Sequence, residues 1–261
     1  MAFVLPPLQG DKPLGRHIIY VSADMVYYQR MVLPLINSIL EQVEWIKVHV
    51  HLICYEPPQI KKQSRVTVSY EIIDKSFIDN IILNPDPKRQ YRNQQILKIE
   101  DEYQIKEKIY FSCARFMRMA DLFRHNQYVL QVDADTVLCR PFLLKDFEAL
   151  TSLPRGQRKP KDPDSLLASC ISLGLGEAGM DFRQRFKNGL IEMFEQGAFW
   201  FMDQWKLKEI FSTIEFETID VLWCSWGEKR NMIFFTGKGD LKNQAEFVNR
   251  LEKWRDPLDI S

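Results

Sequence analysis

No excess of charge marks this chain of 261 residues, in which 35 basic side chains balance 35 acidic ones. A balanced chain exerts no overall pull on nucleic acid or anionic lipid, so neither is expected as a partner held by bulk electrostatics. Cysteine is scarce too. The five thiols (Cys54, Cys113, Cys139, Cys170, Cys224) form no CxxC pair, and an odd, scattered set fits neither a disulfide framework nor a zinc site. They read as reduced thiols, mostly in the core. Of the four histidines only His49 and His51 lie close together, and on the polar face of an alternating strand they read as solvated. No apolar run approaches the ~20 residues needed to span a bilayer. The opening Met1-Ala2-Phe3-Val4-Leu5-Pro6-Pro7 lacks the basic and long apolar regions of a secretory signal. A cytoplasmic protein without a transmembrane segment is expected. Internal repeats, low-complexity tracts and linkers are also missing, so residues 1–261 are expected to form a single domain.

What is present is ordinary globular composition, 46% hydrophobic and 27% charged. Arg16 to Ser22 is a short β-branched run with Asp24 just beyond it. A helical pattern follows over Tyr27 to Val43, then alternating strands over Ile46 to Cys54 and Arg65 to Ile73. This order predicts an α/β fold, a mixed and mostly parallel sheet flanked by helices. From Asn84-Pro85-Asp86-Pro87 to about Glu107 the chain is polar and reads as a loop with a charged helix. Phe111 to Phe123 has helical spacing, and Tyr128 to Val132 is a strand. Pro154 to Pro163 reads as a loop, Leu166 to Leu173 as a strand, Phe182 to Phe211 as largely helical, and Met232 to Phe235 as a short strand.

The sharpest feature is Val129-Leu130-Gln131-Val132-Asp133-Ala134-Asp135-Thr136. An apolar strand runs into two carboxylates at its end, where open α/β sheets bind ligands. Residues i and i+2 of an extended chain project to one side, so Asp133 and Asp135 can converge on one object. A hard divalent cation, Mn²⁺ or Mg²⁺, relieves their repulsion and can grip a diphosphate. A solvated turn would use the same residues.

Three further features bear on the same chemistry. Gly237-Lys238-Gly239-Asp240-Leu241-Lys242 follows a strand, so backbone amides and the cations Lys238 and Lys242 could complement a diphosphate. Arg115 lies in a mostly apolar helix and needs a partner, either a site carboxylate, a phosphate or a structural ion pair; Arg118 is the alternative on that helix. Asp203-Gln204 sits between aromatic residues, which suits the recognition of sugar hydroxyls but also suits plain core packing.

Taken in order, these landmarks resemble the GT-A glycosyltransferases, in particular family-eight-like and related bacterial enzymes that use nucleotide sugars. The resemblance implies a GT-A (Rossmann-like) domain in which Ala23, Asp24 and Tyr28 meet the nucleoside. Arg115 would meet its phosphate or ribose side. Asp133, Ala134 and Asp135 would hold nucleotide and metal, Lys238 and Lys242 the diphosphate, and Asp203 with Gln204 the transferred sugar. Retention of anomeric configuration would follow, although Asp203 is also placed to serve as a base. The partners implied are a nucleotide-sugar donor, with uridine the usual base, and a glycan, lipid-linked or protein acceptor. One departure stands out: where the family has a metal-binding histidine, this chain reads Phe234-Phe235-Thr236-Gly237, leaving Thr236, water or backbone to complete the shell. Two other readings remain open, a haloacid-dehalogenase-type phosphatase with Asp133 as nucleophile and Asp135 as acid/base, and a non-catalytic binding protein of the same fold.

Overall fold

The computed structural model describes residues 2–86, 88, 101–159, 162–214, 216–225, 231–237 and 242–255. Most of the expected charged loop (87 and 89–100), Lys238 and the rest of 238–241 lie outside these.

The strands are β1 (Leu8–Gly10), β2 (His17–Asp24), β3 (Lys47–Cys54), β4 (Val66–Ile72), β5 (Tyr128–Val132), β6 (Thr136–Leu138), β7 (Pro154–Lys159), β8 (Asp162–Leu173), β9 (Glu217–Thr218), β10 (Cys224–Ser225) and β11 (Phe234–Thr236). The helices are α1 (Met25–Tyr27), joined through a π-helical turn over Tyr28–Val32 to α2 (Leu33–Gln42), then α3 (Lys75–Asp79), α4 (Glu102–Leu122), α5 (Leu144–Thr151), α6 (Gly176–Gln196), α7 (Met202–Phe211) and α8 (Ala245–Lys253). Eight strands form one sheet in the order β1-β4-β3-β2-β5-β8-β7-β9. It is mixed: β4, β3, β2 and β5 are parallel, whereas β8 runs antiparallel to both β5 and β7. A second sheet of three strands has the order β10-β11-β6.

Helices cover both faces, as alternation along β2 shows. Ile18 and Tyr20 join the apolar cluster built with α4, α6 and α7. Ile19 and Val21 join the cluster with α2 and α5. From β2 the sheet grows one way through β3 and β4, and the chain then returns to place β5 on the other side of β2. The carboxyl ends of β2 and β5 therefore flank the crevice where strand order reverses, the usual binding place in open α/β sheets. Among the described residues no helix is long and apolar enough to cross a membrane. All five cysteines are free, and all but Cys139 are buried.

Two local expectations need correction. His49 and His51 are not solvated: both are 0% exposed. The polar face of β3 is covered by the α4 layer, with Phe123 edge-on to His49 at 5.9 Å. His49 is satisfied internally by Thr67 (2.8 Å) and Ser69 (2.9 Å), whereas His51 bonds Ser69 through Nδ1 (3.0 Å) and its Nε2 makes no hydrogen bond, lying 3.7 Å from Glu71. The described residues of the expected loop, 154–159 and 162–163, are not a loop but belong to β7 and the start of β8, which pair, with Pro154 at the strand's first residue, where a missing N–H is tolerated. Register shifts at Gly156/Gln157 and Arg158/Lys159 break the alternation that would have revealed it.

The stretch from Phe182 to Phe211 is largely helical, as expected, and divides into α6 and α7. At Gly197 (φ +115°) the chain leaves α6. Ala198 then pairs with the 82–84 segment, its N–H donating to Ile82 (2.7 Å) and its carbonyl accepting from Asn84 N–H (2.9 Å). A Cβ at Gly197 would lie 2.8 Å from Asn84 Cα. Gly197→Ala is expected to cost about 1–3 kcal/mol, combining left-handed strain with that clash. Urea unfolding would measure it, and an unchanged midpoint would refute the role given to this glycine.

Candidate functional site

Asp133 follows β5 directly, and its N–H donates to Ser169 on β8 (2.9 Å). On the neighbouring strand Asp24 ends β2 and caps α1, its carboxylate accepting from Tyr27 N–H at 2.8 Å. The last parallel pair between these strands is Tyr20 with Gln131. Continuing both strands two residues brings Ser22 level with Asp133.

A cavity of about 390 Å³ opens there. It is lined by Ser22, Ala23, Asp24 and Tyr27 after β2, and by Asp133, Ala134 and Asp135 after β5. Lys108, Phe111, Ser112 and Arg115 line it from one face of α4, while Trp200, Phe201, Asp203 and Gln204 come from the start of α7, and Lys242 from the C-terminal segment. Its size lies within the range of small-molecule sites.

Nearly all the sequence candidates that are described meet at this cavity. The exception is Tyr28. Its ring is 7% exposed and packs in the cluster with Val32, Leu35 and Ile36, and its neighbour Tyr27 lines the cavity instead. The reason is the π turn at Tyr28–Val32, which starts immediately after the short α1 and sets which residues face inward. Lys238 lies outside the described residues.

Arg115 has the carboxylate partner its burial demands, and in fact two. One guanidinium nitrogen is ion-paired with Asp133, and another lies 3.4 Å from Asp203. Burial disfavours its charge, but Asp133, Asp203 and Asp135 outweigh that and raise its pKa above the ordinary arginine value. Arg118 points elsewhere, to Glu71. Asp203 stands in the first turn of α7, where carboxylates are favoured, and accepts from Gln204 N–H at 2.9 Å.

The small sheet explains why Lys242 arrives here. Pairing of β6 with β11 sets Thr136 against Thr236, and Gly237 N–H donates to Asp135 at 2.8 Å. Gly237 is thereby fixed beside Asp135, and Lys242, five positions on in the sequence, stands there as well. Lys242 Nζ lies 2.8 Å from Asp135 and donates to Tyr27 Oη at 2.8 Å. Burial opposes the ammonium charge, yet Asp135 and Tyr27 more than compensate and raise its pKa. It carries its charge throughout the neutral range.

Among the described residues lining the cavity, four carboxylates (Asp24, Asp133, Asp135, Asp203) meet three cations (Lys108, Arg115, Lys242). Among the described residues no group of three or more His, Cys, Asp or Glu side chains could hold a metal by itself. Thr236 is no ready third ligand, because its hydroxyl is already shared with Thr136 (3.0 Å) and Cys224 (3.2 Å). Two carboxylates with water and a bound diphosphate are nevertheless a normal oxygen set for Mg²⁺, which seldom relies on a protein-only cage. The donor chemistry of Asp133 and Asp135 fits a divalent cation in that form.

Sequence reasoning missed Ser22, Tyr27, Lys108, Phe111, Ser112, Trp200 and Phe201 as lining residues. A signal existed for three of them, since positions 108, 111, 112 and 115 fall on one helical face with Arg115. Phe201 carried none. It holds a left-handed backbone (φ 72°) at the start of α7, a strained conformation for a bulky residue and common at working sites. No protein-family model matches the chain, and no curated protein matches it.

Proposed function

We propose that this protein is a glycosyltransferase of the GT-A type, moving a sugar from a nucleoside diphosphate donor to a hydroxyl acceptor. One observation carries the reading. Asp133-Asp135, Arg115, Asp203-Gln204 and Lys242 come from four separate parts of the chain and line one cavity at the strand-order reversal.

In this reading Ala23 and Asp24 border the nucleoside, and Asp133 with Asp135 would hold Mn²⁺ or Mg²⁺. Such a cation, when bound, supplies positive charge to a departing diphosphate. The acidic pair supports it, because Asp133 and Asp135 would repel a diphosphate approaching them, and a divalent ion held by them reverses the local sign. Lys242 supplies a fixed ammonium beside Asp135, with Lys238 of the same segment proposed alongside it. Asp203 and Gln204 offer an acceptor and a donor that orient sugar hydroxyls.

The carboxylates are also engaged: Asp24 with Tyr27 N–H, Asp133 and Asp203 with Arg115, and Asp135 with Lys242. Carboxylates held by cations are weak bases. That favours a retaining course, in which the acceptor proton leaves with the diphosphate oxygen, over an inverting one with Asp203 as base. The same pairing makes Asp133 a poorer nucleophile than the phosphatase alternative requires.

The test is a thermal-shift panel of nucleoside diphosphates with and without Mn²⁺. A ligand at about 100 times its Kd adds about 2.7 kcal/mol of stability, so Tm should rise by roughly 5–10 °C with the right base and metal. Asp135→Ala should abolish the metal-dependent part. Lys242→Ala should weaken diphosphate binding by about 10–100-fold, the worth of a charge-assisted hydrogen bond, with the chain still folded. If UDP, GDP and the other diphosphates all left Tm unmoved, the reading would fail.

A further inference from the structure

Beneath α4, outside the residues that line the cavity, a wholly buried carboxylate is used by nothing in the reaction proposed above. Glu71 on β4 is 0% exposed. It accepts from Tyr110 Oη at 2.6 Å and from Arg118 Nε at 2.6 Å, and Arg118 Nη2 makes a second contact. His51 Nε2 approaches the same carboxylate to 3.7 Å. Tyr110 and Arg118 both belong to α4, eight positions apart and so about 12 Å along its axis. Arg115 lies between them, and its own carbonyl accepts from Tyr20 Oη of β2 at 2.9 Å.

One anion on β4 thus grips the helix at two points, and a hydroxyl on β2 grips it at a third. Two attachments fix both sliding and rotation, which apolar contacts leave softer, since hydrophobic burial is non-directional. A slip of one residue along α4 would move Arg115 by about 1.5 Å and turn it by about 100°. Neither Asp133 nor Asp203 would then be within its reach. Apolar residues at positions 71, 110 and 118 together would serve packing as well and often stability too, because replacing both partners of a buried ion pair by apolar side chains is often neutral or stabilising.

We propose that Glu71 is a positioning residue for the cavity, setting the register of α4 through Tyr110 and Arg118 so that Arg115 meets Asp133 and Asp203. The proposal rests on reading the cavity as the working site. Glu71→Gln is expected to lower kcat by about 100-fold, the cost of misplacing a binding group by about an ångström. The donor KM should stay within about 3-fold, since Ala23, Asp24 and Lys242 stand on other elements. Tyr110→Phe removes one attachment without burying an unmatched charge and should lower kcat by about 10-fold in a folded protein.

The deciding variant is the apolar triple, Glu71→Leu with Arg118→Leu and Tyr110→Phe. It should regain the melting temperature lost in Glu71→Gln while kcat stays low. Recovery of kcat along with stability would overturn the proposal, because the cluster would then be support alone. A crystal structure of Glu71→Gln decides the matter without any assay: Arg115 should have left Asp133, and an intact Arg115–Asp133 pair would overturn it. If the unaltered protein turned over no nucleotide sugar, the functional reading would fall, while the crystallographic result would still judge Glu71.

Discussion

Asp133→Asn should reduce sugar transfer by about 1,000-fold or more while leaving the protein folded. Asparagine keeps the shape of the side chain and removes its charge, so the loss is electrostatic. Two consequences follow from the geometry. The proposed cation loses one of its two protein carboxylates, and such preorganised charge is commonly worth about 100–1,000-fold per group. Arg115 also keeps only Asp203, which lies at the longer distance of 3.4 Å. Buried cations that lose a partner relocate or draw in water, so the wall carrying Asp203 and Gln204, proposed to orient the sugar, is disturbed as well. Donor turnover, measured with Mn²⁺ present and beside a Tm for each variant, checks this. An unchanged rate would count decisively against the assignment.

The second large effect concerns acid. Burial, helped by His51, lowers the pKa of His49 to about 3. The unfolded chain titrates near the ordinary value of about 6.5. Below that value the unfolded form takes up a proton that the folded form refuses, so stability is whole above pH 6.5 and falls as the solution is acidified towards pH 3. The slope is about 1.4 kcal/mol per pH unit, or about 2.7 kcal/mol between pH 6.5 and 4.5. Glu71 shares the cluster. Its own burial works against ionisation, but hydrogen bonding and charge from His51, Arg118 and Tyr110 win and lower its pKa. Its loss begins only below the ordinary glutamate range of about 4.3. The window above that belongs to the histidine. Urea unfolding at a series of pH values should show the decline in the native chain and a flatter profile in His49→Gln. Equal slopes in the two proteins would refute the assignment.

The parts of this molecule legible from sequence are those where a local pattern coincides with a tertiary boundary. Tyr128 to Val132 reads as a strand because it is buried on both faces, and it emerges with those limits as β5. Asp24 and Asp133 stand at strand ends in the sequence and border the cavity in space. Arg115 was recognisable because a lone cation among apolar neighbours demands an anion. What failed did so where burial is decided from far away. Nothing in Lys47-Val48-His49-Val50-His51 announces that a helix some sixty residues later will cover the histidines. The β7 strand hid behind its register shifts, and Tyr27 was passed over for Tyr28 because the π turn offsets the helical phase. No periodicity argument predicts that the Lys242 ammonium reaches both Asp135 and Tyr27.

The pairing of β6 with β11 has a consequence for how the molecule comes into being. Thr136 and Thr236 stand a hundred positions apart, and their ladder places Gly237 beside Asp135. Contacts of such long sequence separation form late, after the local ones that make them affordable. During synthesis, β2 to β5 can assemble before β11 and Lys242 have emerged from the ribosome. The growing chain would then show its acidic wall before the lysine that answers it. The cavity should therefore be completed abruptly, when β11 pairs with β6, and not build up as the protein lengthens.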